Sequence, residues 1–367
     1  MTKSKRNEVQ SHSEASDSNE IRRLRSQIDK LNRDLAKAKS GETLIIEAVK
    51  DALSTPLDIY VPKLVSPKSK KQSEEIACLH ISDTQIGKVT HSYHSEIANQ
   101  RLYQLVQKTV KIANIRRSGA KIDEIRVYLG GDIVEGENIF PHQAHEIDQT
   151  VFEQSVRTAP LILARVIMYL VENFKKVKVY GVPGNHGRNG ARFTSSSPKT
   201  NWDNVCYSTL KQILLGGPSS TTKASLSKRL EFVETDSFYI VDRVFDWGNL
   251  VVHGDQITGG FGGFPWYSAA RKAWGWIDSI PEPWDYLWFG HFHTYAGPVT
   301  VNQRVFLANG TTESDNEYAQ ASLAAAGIPC QRLSFFDPEH GLISDNPIYL
   351  VDSRVPQISR YKKFFKP

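Results

Sequence analysis

From Ile76 onward the chain alternates short β-rich runs with longer helical stretches, and that alternation admits few folds. Clusters of Val, Ile and aromatic residues predict strands at 76–82 (IACLHIS), 125–130 (IRVYLG), 177–182 (VKVYGV), 237–242 (SFYIVD), 249–253 (NLVVH) and 286–290 (YLWFG). Later strands fit 303–308 and 331–336. Helical spacing covers about 94–117 and 146–174, with shorter helices near 201–215 and 266–278. Strand–helix alternation calls for α/β architecture with a core sheet, followed by a more β-rich second half. No internal repeat is present.

The chain ahead of Ile76 is different. Residues 1–20 are polar and aperiodic and read as disordered. Ile21, Leu24, Ile28, Leu31, Leu35 and Ala38 then recur at alternating spacings of three and four, an a/d seam with charges between. Residues 21–53 are therefore read as coiled coil and helix, with Gly41 as an interruption, and residues 21–38 as a homo-oligomer contact. The alternative is one amphipathic helix lying on the body. Residues 54–75 carry three prolines and four lysines and read as a linker. The main domain is expected over 76–353, with a basic, aromatic tail at 354–367.

Composition excludes several classes. With 367 residues, 40% hydrophobic and 23% charged, the chain is neither disordered throughout, nor fibrous, nor a disulfide-stapled miniature. Cys78, Cys206 and Cys330 are odd in number and widely spaced, which suits reduced thiols in a cytoplasm. The first twenty residues are too polar for a signal peptide. The longest apolar stretch, 159–171, is broken by Arg165 and too short to span a bilayer, so no membrane association is expected. Net charge is +5, and residues 1–75 supply over half of it, with 15 Lys and Arg against 12 Asp and Glu. The nearly neutral body is no basic nucleic-acid module by charge alone.

The chemistry lies where the strands end. The first strand closes on Ser82-Asp83-Thr84-Gln85, the second on Gly130-Gly131-Asp132-Ile133-Val134-Glu135, and the third on Gly184-Asn185-His186-Gly187. Two more end in His253-Gly254-Asp255 and Gly290-His291-Phe292-His293. In open α/β sheets the ligand crevice lies at the carboxyl ends of the strands. One Asp or His after a strand is ordinarily a cap; five such endings in succession are not.

The series D-x-[H/Q], G-D-x-x-E, G-N-H, H-G-D and G-H-x-H, over about Ile76 to Thr294, resembles the calcineurin-like metallophosphoesterase superfamily. The resemblance implies a two-sheet αββα sandwich with a dinuclear metal centre at its rim. It implies that Asp132 bridges two divalent ions, that Asp83, Gln85 and His293 complete one site, and that Asn185, His253 and His291 complete the other. His186 would protonate the leaving oxygen. Two such ions about 3.5–4 Å apart clamp a phosphate and generate a hydroxide nucleophile from water. Imidazole with carboxylate suits Mn, the favoured metal, or Fe, Zn or Mg, rather than Ca.

The chain departs from that pattern twice. Gln85 stands where the family usually has His, which keeps the charge but gives a harder, weaker donor favouring Mn²⁺ or Mg²⁺ at that site; otherwise Gln85 is no ligand and water takes its place. Gly187 and Arg188 follow G-N-H where many relatives carry an acidic residue that orients the His. Arg188 is a candidate contact for a substrate phosphate or a plain surface arginine. His142 and His145, in the loop after Asp132, are candidates for substrate contact, Glu135 and Asp255 for loop support, and His80 for packing.

Five of the seven tryptophans, 266, 274, 276, 284 and 288, fall between two metal motifs, together with Arg271 and Lys272. Aromatic and cationic groups beside a phosphoesterase centre suit stacking on unpaired bases, and Trp266 is a candidate substrate contact; the alternative is that they fill the core. Within the superfamily, G-D-x-x-E and the size of the insert after it resemble the DNA-repair exonuclease (SbcD-like) branch, and the coiled-coil leader resembles phage-encoded members, which would act in the host cytoplasm. A DNA nuclease is thus the first expectation. A phosphatase or phosphodiesterase on nucleotides or phosphoproteins is the second, and a coiled-coil scaffold with a non-catalytic metal site the third.

Overall fold

The computed structural model describes residues 20, 22–33, 50, 73–140, 143–190, 197–216, 226–258, 264–314 and 328–351. The chain divides into two compact units, Met1–Ser54 and Thr55–Pro367.

In the first unit residues 22–33 are helical, and Glu20, expected at the end of a disordered stretch, is helical too. Leu24, Ile28 and Leu31 along the seam are at least half exposed. The rest of the seam and the expected helix after Gly41, apart from Lys50, lie outside the described residues.

The second unit is built on two sheets. The first has the order β11-β10-β1-β2-β3-β4 and the second β5-β6-β7-β9-β8. In the first sheet β1 (Ser73–Ile81), β2 (Ala120–Leu129), β3 (Lys176–Gly181) and β4 (Leu230–Glu234) run parallel. β10 (Cys330–Asp337) and β11 (Gly341–Tyr349) continue it antiparallel. In the second, β5 (Tyr239–Val244) pairs antiparallel with β6 (Trp247–Val252); β6, β7 (Tyr286–Phe289) and β9 (Arg304–Ala308) run parallel; and β8 (Ala296–Val301) closes the edge antiparallel to β9.

Period-two alternation assigns each strand residue to a layer. From β1, Ala77, Leu79 and Ile81 face a core shared with helices α1 (Ser95–Arg116), α2 (Val151–Asn173) and α3 (Trp202–Leu215). Cys78 faces the other way, into a core with Tyr128, Tyr180, Trp288 and Leu307 that joins the two sheets. Leu287 and Phe289 of β7 point outward to α4 (Trp266–Ser279), meeting Ala269, Ala273 and Trp276. The order of layers is helix, sheet, sheet, helix: the expected αββα sandwich. Strands covered on both faces read as continuous apolar runs, as β7 does.

α2 is long and apolar enough by composition to cross a membrane, and 67% of its most apolar window is buried inside the protein. Its first turns widen into a π-helix at Gln154–Thr158. There buried Gln154 bonds both the N–H and the C=O of Gly136, and its side chain packs on Gly87. The insertion so fastens the loops that follow β1 and β2.

The four helices fall close to their expected spans. Three strands were not expected, β4, β8 and β11, and all are sheet edges whose residues are mostly half-buried or exposed. Edge strands carry the mixed, Pro-containing sequences that strand patterns miss. The expected linker 54–75 also ends early: Ser73–Glu75 belong to β1, where Glu75 pairs with Arg116 of α1. Residues 54–72 and the tail 354–367 lie outside the described residues. The three cysteines are free and buried.

Candidate metal centre

The five polar endings converge at one rim, where the carboxyl ends of β1, β2 and β3 meet those of β6 and β7. Backbone bonds lace the loops together. Asp83 N–H donates to Gly131 C=O at 3.0 Å, Gln85 N–H to Asp132 C=O at 2.9 Å, and Gly290 N–H to His253 C=O at 2.7 Å. Close approach is what the glycines provide: a Cβ on Gly184 would lie 2.2 Å from both the amide nitrogen and Oδ1 of Asp132, and one on Gly290 would lie 2.2 Å from Asp83 Oδ2.

The side chains meet from both sheets. One oxygen of Asp132 and one nitrogen each of His253 and His291 lie within 4.8 Å of one another, a spacing that suits a shared cation. His253 Nδ1 bonds the Gly130 carbonyl at 2.8 Å, which turns Nε2 to Asp132 Oδ2 at 3.0 Å and Asn185 Oδ1 at 3.1 Å. Asp132 Oδ1 accepts from the His186 amide at 2.7 Å. Asp83 accepts from Ser82 Oγ at 2.6 Å and from the His291 amide at 2.9 Å, and its Oδ1 lies 3.5 Å from His293 Nε2. Gln85 is fully buried, with Nε2 at 3.3 Å from His186 Nε2 and 3.4 Å from His293 Nε2. All seven expected ligands and His186 thus share one site.

The donor set fits divalent cations. Gln85 Oε1 is buried without a hydrogen-bond partner, and such a group is costly unless something binds it. A half-turn of the Gln85 amide exchanges its oxygen and nitrogen and aims Oε1 between the imidazoles.

Charges in the site are mutually compensating. Burial opposes a charge on His253, but Asp132, Asp83 and Asp255 outweigh it and hold its pKa at about 10. Burial likewise opposes His186, and Glu135 with Asp132 raises it to about 9. Burial and the neighbouring His253 depress His291 to about 3, leaving a neutral imidazole. Burial works against the Asp132 carboxylate, yet His253 and His186 keep it well below the ordinary carboxylate range. A cation entering here takes the place of protons on imidazole.

Three acidic residues complete the site, and none was assigned its role from the sequence. Glu135, expected to brace the Asp132 loop, sets Oε2 at 3.0 Å from His186 Nδ1. It occupies the orienting position that the residues after Asn185-His186 leave vacant. Glu313, in the loop after β9, holds His293 Nδ1 at 2.6 Å. Asp203, near the start of α3, accepts from the amides of Asp132, Ile133, Val134 and Gly184 at 2.8–3.2 Å. Burial and nearby Asp132 raise its carboxyl to about 6. Asp203 therefore ties the β2 loop to the β3 loop.

The remaining candidates are spread around the rim. Arg188 pairs with Asp255, so its guanidinium is held beside the H-G-D loop. Trp266 opens α4, half-buried, its ring 4.4 Å from that of Phe264. His145 is exposed, and His142 lies outside the described residues. His80 is fully buried against Trp288, with ring centroids 5.8 Å apart. The tryptophan cluster divides: Trp276, Trp284 and Trp288 are buried, whereas Trp274 is 52% exposed.

No family model matches the sequence, and no curated protein matches it. Solved structures are similar to this chain over much of its length. Vacuolar protein sorting 29 of Cryptosporidium parvum is 13% identical with a TM-score of 0.34, covering 76% of this chain and 100% of its own. A predicted phosphoesterase of Streptococcus pneumoniae is 10% identical with a TM-score of 0.29, covering 75% and 98%. The purple acid phosphatase PPD1 of yellow lupin is 10% identical with a TM-score of 0.33, covering 78% of this chain and 56% of its own.

Proposed function

We propose that this chain is a dinuclear metal-dependent phosphoesterase of the calcineurin-like superfamily, and that it cuts phosphodiester bonds in DNA. The observation that carries the reading is the convergence of Asp83, Gln85, Asp132, Asn185, His253, His291 and His293, drawn from both sheets, at one rim where Gln85 Oε1 is buried and unpartnered. In this reading Asp132 is shared by two donor groups, one of His253, His291 and Asn185 and the other of Asp83, Gln85 and His293. Two divalent ions so held, with Mn²⁺ favoured, supply Lewis acidity towards phosphate and a water acidic enough to attack at neutral pH.

The chain's own groups do the rest. Glu135 fixes Nδ1 of His186, so Nε2 faces the site and delivers the proton to the leaving oxygen. Asn185 and His291, both neutral, accept a cation without adding negative charge that would repel phosphate.

Nucleic acid as substrate is supported by the ring path leading away from the site. His291 touches Phe292 at 5.1 Å, Phe292 touches Phe264 at 5.4 Å, and Phe264 touches Trp266. On α4, Tyr267 and Trp274 are exposed with Arg271 between them, at i, i+4 and i+7 on one face. Exposed rings interleaved with a cation suit stacked bases of a single strand. We further propose that residues 21–38 pair two copies through the uncovered Leu24-Ile28-Leu31 seam, and that the protein acts in a cytoplasm, that of the host if it is phage-encoded. Light scattering on the full chain tests the first point, since Leu31→Glu should return a dimer to monomer.

The activity test uses Mn²⁺ with labelled single- and double-stranded DNA, alongside p-nitrophenyl phosphate and bis-p-nitrophenyl phosphate. DNA cleavage lost in Asp132→Ala is the expected result. Turnover of the monoester alone would make the protein a phosphatase, and bound metal without any turnover would make it a scaffold.

A further inference from the structure

Six side chains close a ring around the Gln85 loop. Gln85 Nε2 sits 3.3 Å from His186 Nε2. His186 Nδ1 meets Glu135 Oε2 at 3.0 Å. Glu135 Oε1 lies 4.0 Å from Lys88 Nζ, and Lys88 Nζ lies 3.2 Å from Glu313 Oε2. Glu313 Oε1 meets His293 Nδ1 at 2.6 Å, and His293 Nε2 returns to Gln85 Nε2 at 3.4 Å. Residues 85–88 thus form a wedge: its first side chain touches the inner nitrogen of both imidazoles, and its last pairs with the carboxylates behind both.

Lys88 is almost wholly buried, as are Glu135 and Glu313. Burial disfavours its charge, but the two glutamates outweigh burial and raise its pKa above the ordinary value. One ammonium between two buried carboxylates at once keeps them apart and holds each in place. Each carboxylate in turn fixes the ring of one histidine, the arrangement that orients metal-binding imidazoles.

We propose that Lys88 is a positioning residue shared by His186 and His293, coupling the proton donor to one of the two cation sites through Glu135 and Glu313. Lys88 touches neither the cation nor the substrate, and its influence on each histidine passes through one carboxylate. This inference rests on the phosphoesterase reading for its His186 arm and on cation binding alone for its His293 arm.

The test is a thermodynamic cycle on the full chain, with Mn²⁺ as the only probe in its first part. Calorimetry should show Mn²⁺ binding at one site weakened about tenfold in Lys88→Met, the low end for an outer partner of a ligand histidine. In a Glu313→Gln background the same change should alter affinity less than threefold, because the route to His293 is already cut. In the second part, at saturating Mn²⁺, Lys88→Met should lower kcat on bis-p-nitrophenyl phosphate about tenfold with KM unchanged, and should do little in Glu135→Gln. Additive losses in either cycle, or unchanged Mn²⁺ affinity in Lys88→Met, would overturn the proposal. If Lys88→Met does not fold, Lys88→Gln in the Glu135→Gln/Glu313→Gln background leaves no buried charge unpaired and decides instead. No further loss there supports the shared route, and a further tenfold loss defeats it. A wild type that binds Mn²⁺ but turns nothing over would sink the phosphoesterase reading and leave the first cycle standing.

Discussion

The two halves of the candidate metal centre are built differently. Around Asp132, His253 and His291 the donor atoms lie within 4.8 Å of one another, with His253 fully buried and locked by a backbone carbonyl. Around Asp83, Gln85 and His293 the carboxylate and the amide are just as buried, but His293 keeps 23% of its side chain exposed and takes its orientation from Glu313. The first half is fixed by backbone and by Asp203 behind it. The second depends on carboxylates of other loops. Preorganisation against adaptability is the lesson: one half should hold its ion under most conditions, and the other should exchange it.

Breaking each half separately should give the largest contrast. His291→Ala is expected to lower kcat/KM on bis-p-nitrophenyl phosphate by more than about 1000-fold with no recovery in excess Mn²⁺, whereas His293→Ala should lose about 100-fold and recover partly as Mn²⁺ is raised. Equal recovery of both would erase the distinction. Asp203→Ala strips the acceptor from four buried backbone amides and should cost about 3 kcal/mol of stability in urea denaturation. A loss near zero would mean that the loops hold without it.

Cation binding should also release protons from the half around Asp132, His253 and His291. His253 carries a proton near neutral pH because its pKa is held at about 10, and a cation must displace it. The sign follows: binding at the closed half strengthens as pH rises, about tenfold per unit for each proton expelled, until the pH reaches that pKa. Calorimetry in buffers of differing ionisation enthalpy would read the proton directly. The smallest expected effect is a gain. Gln85→His should raise affinity at the open half about tenfold and leave the closed half untouched. Equal occupancy of both proteins at limiting Mn²⁺ would show that Gln85 is no ligand.

The sequence displays the candidate ligands plainly, because each follows a strand, most of them beside glycine, and strand ends are local features. The layers are legible for the same reason, since apolar alternation records burial on each face. Glu135, Asp203 and Glu313 are not legible in their roles. Their partners stand 51, 71 and 20 residues away, and an isolated acidic residue in a loop carries no mark of what it will meet. The edge strands are hidden for a related reason, as half-solvated strands resemble loops in composition. Trp274 and Trp276 show the limit from another side: two residues apart on one helix, one faces solvent and the other the core.

Five of the candidate ligands, Asp83, Gln85, Asp132, His291 and His293, hold left-handed backbone angles, with φ between 41° and 68°. Each such residue costs about 1–2 kcal/mol relative to ordinary helical or extended backbone, and glycine would sit there without penalty. The candidate rim therefore stores backbone strain that glycine would relieve at these five places, and a chain freed of these side chains would be sturdier for it.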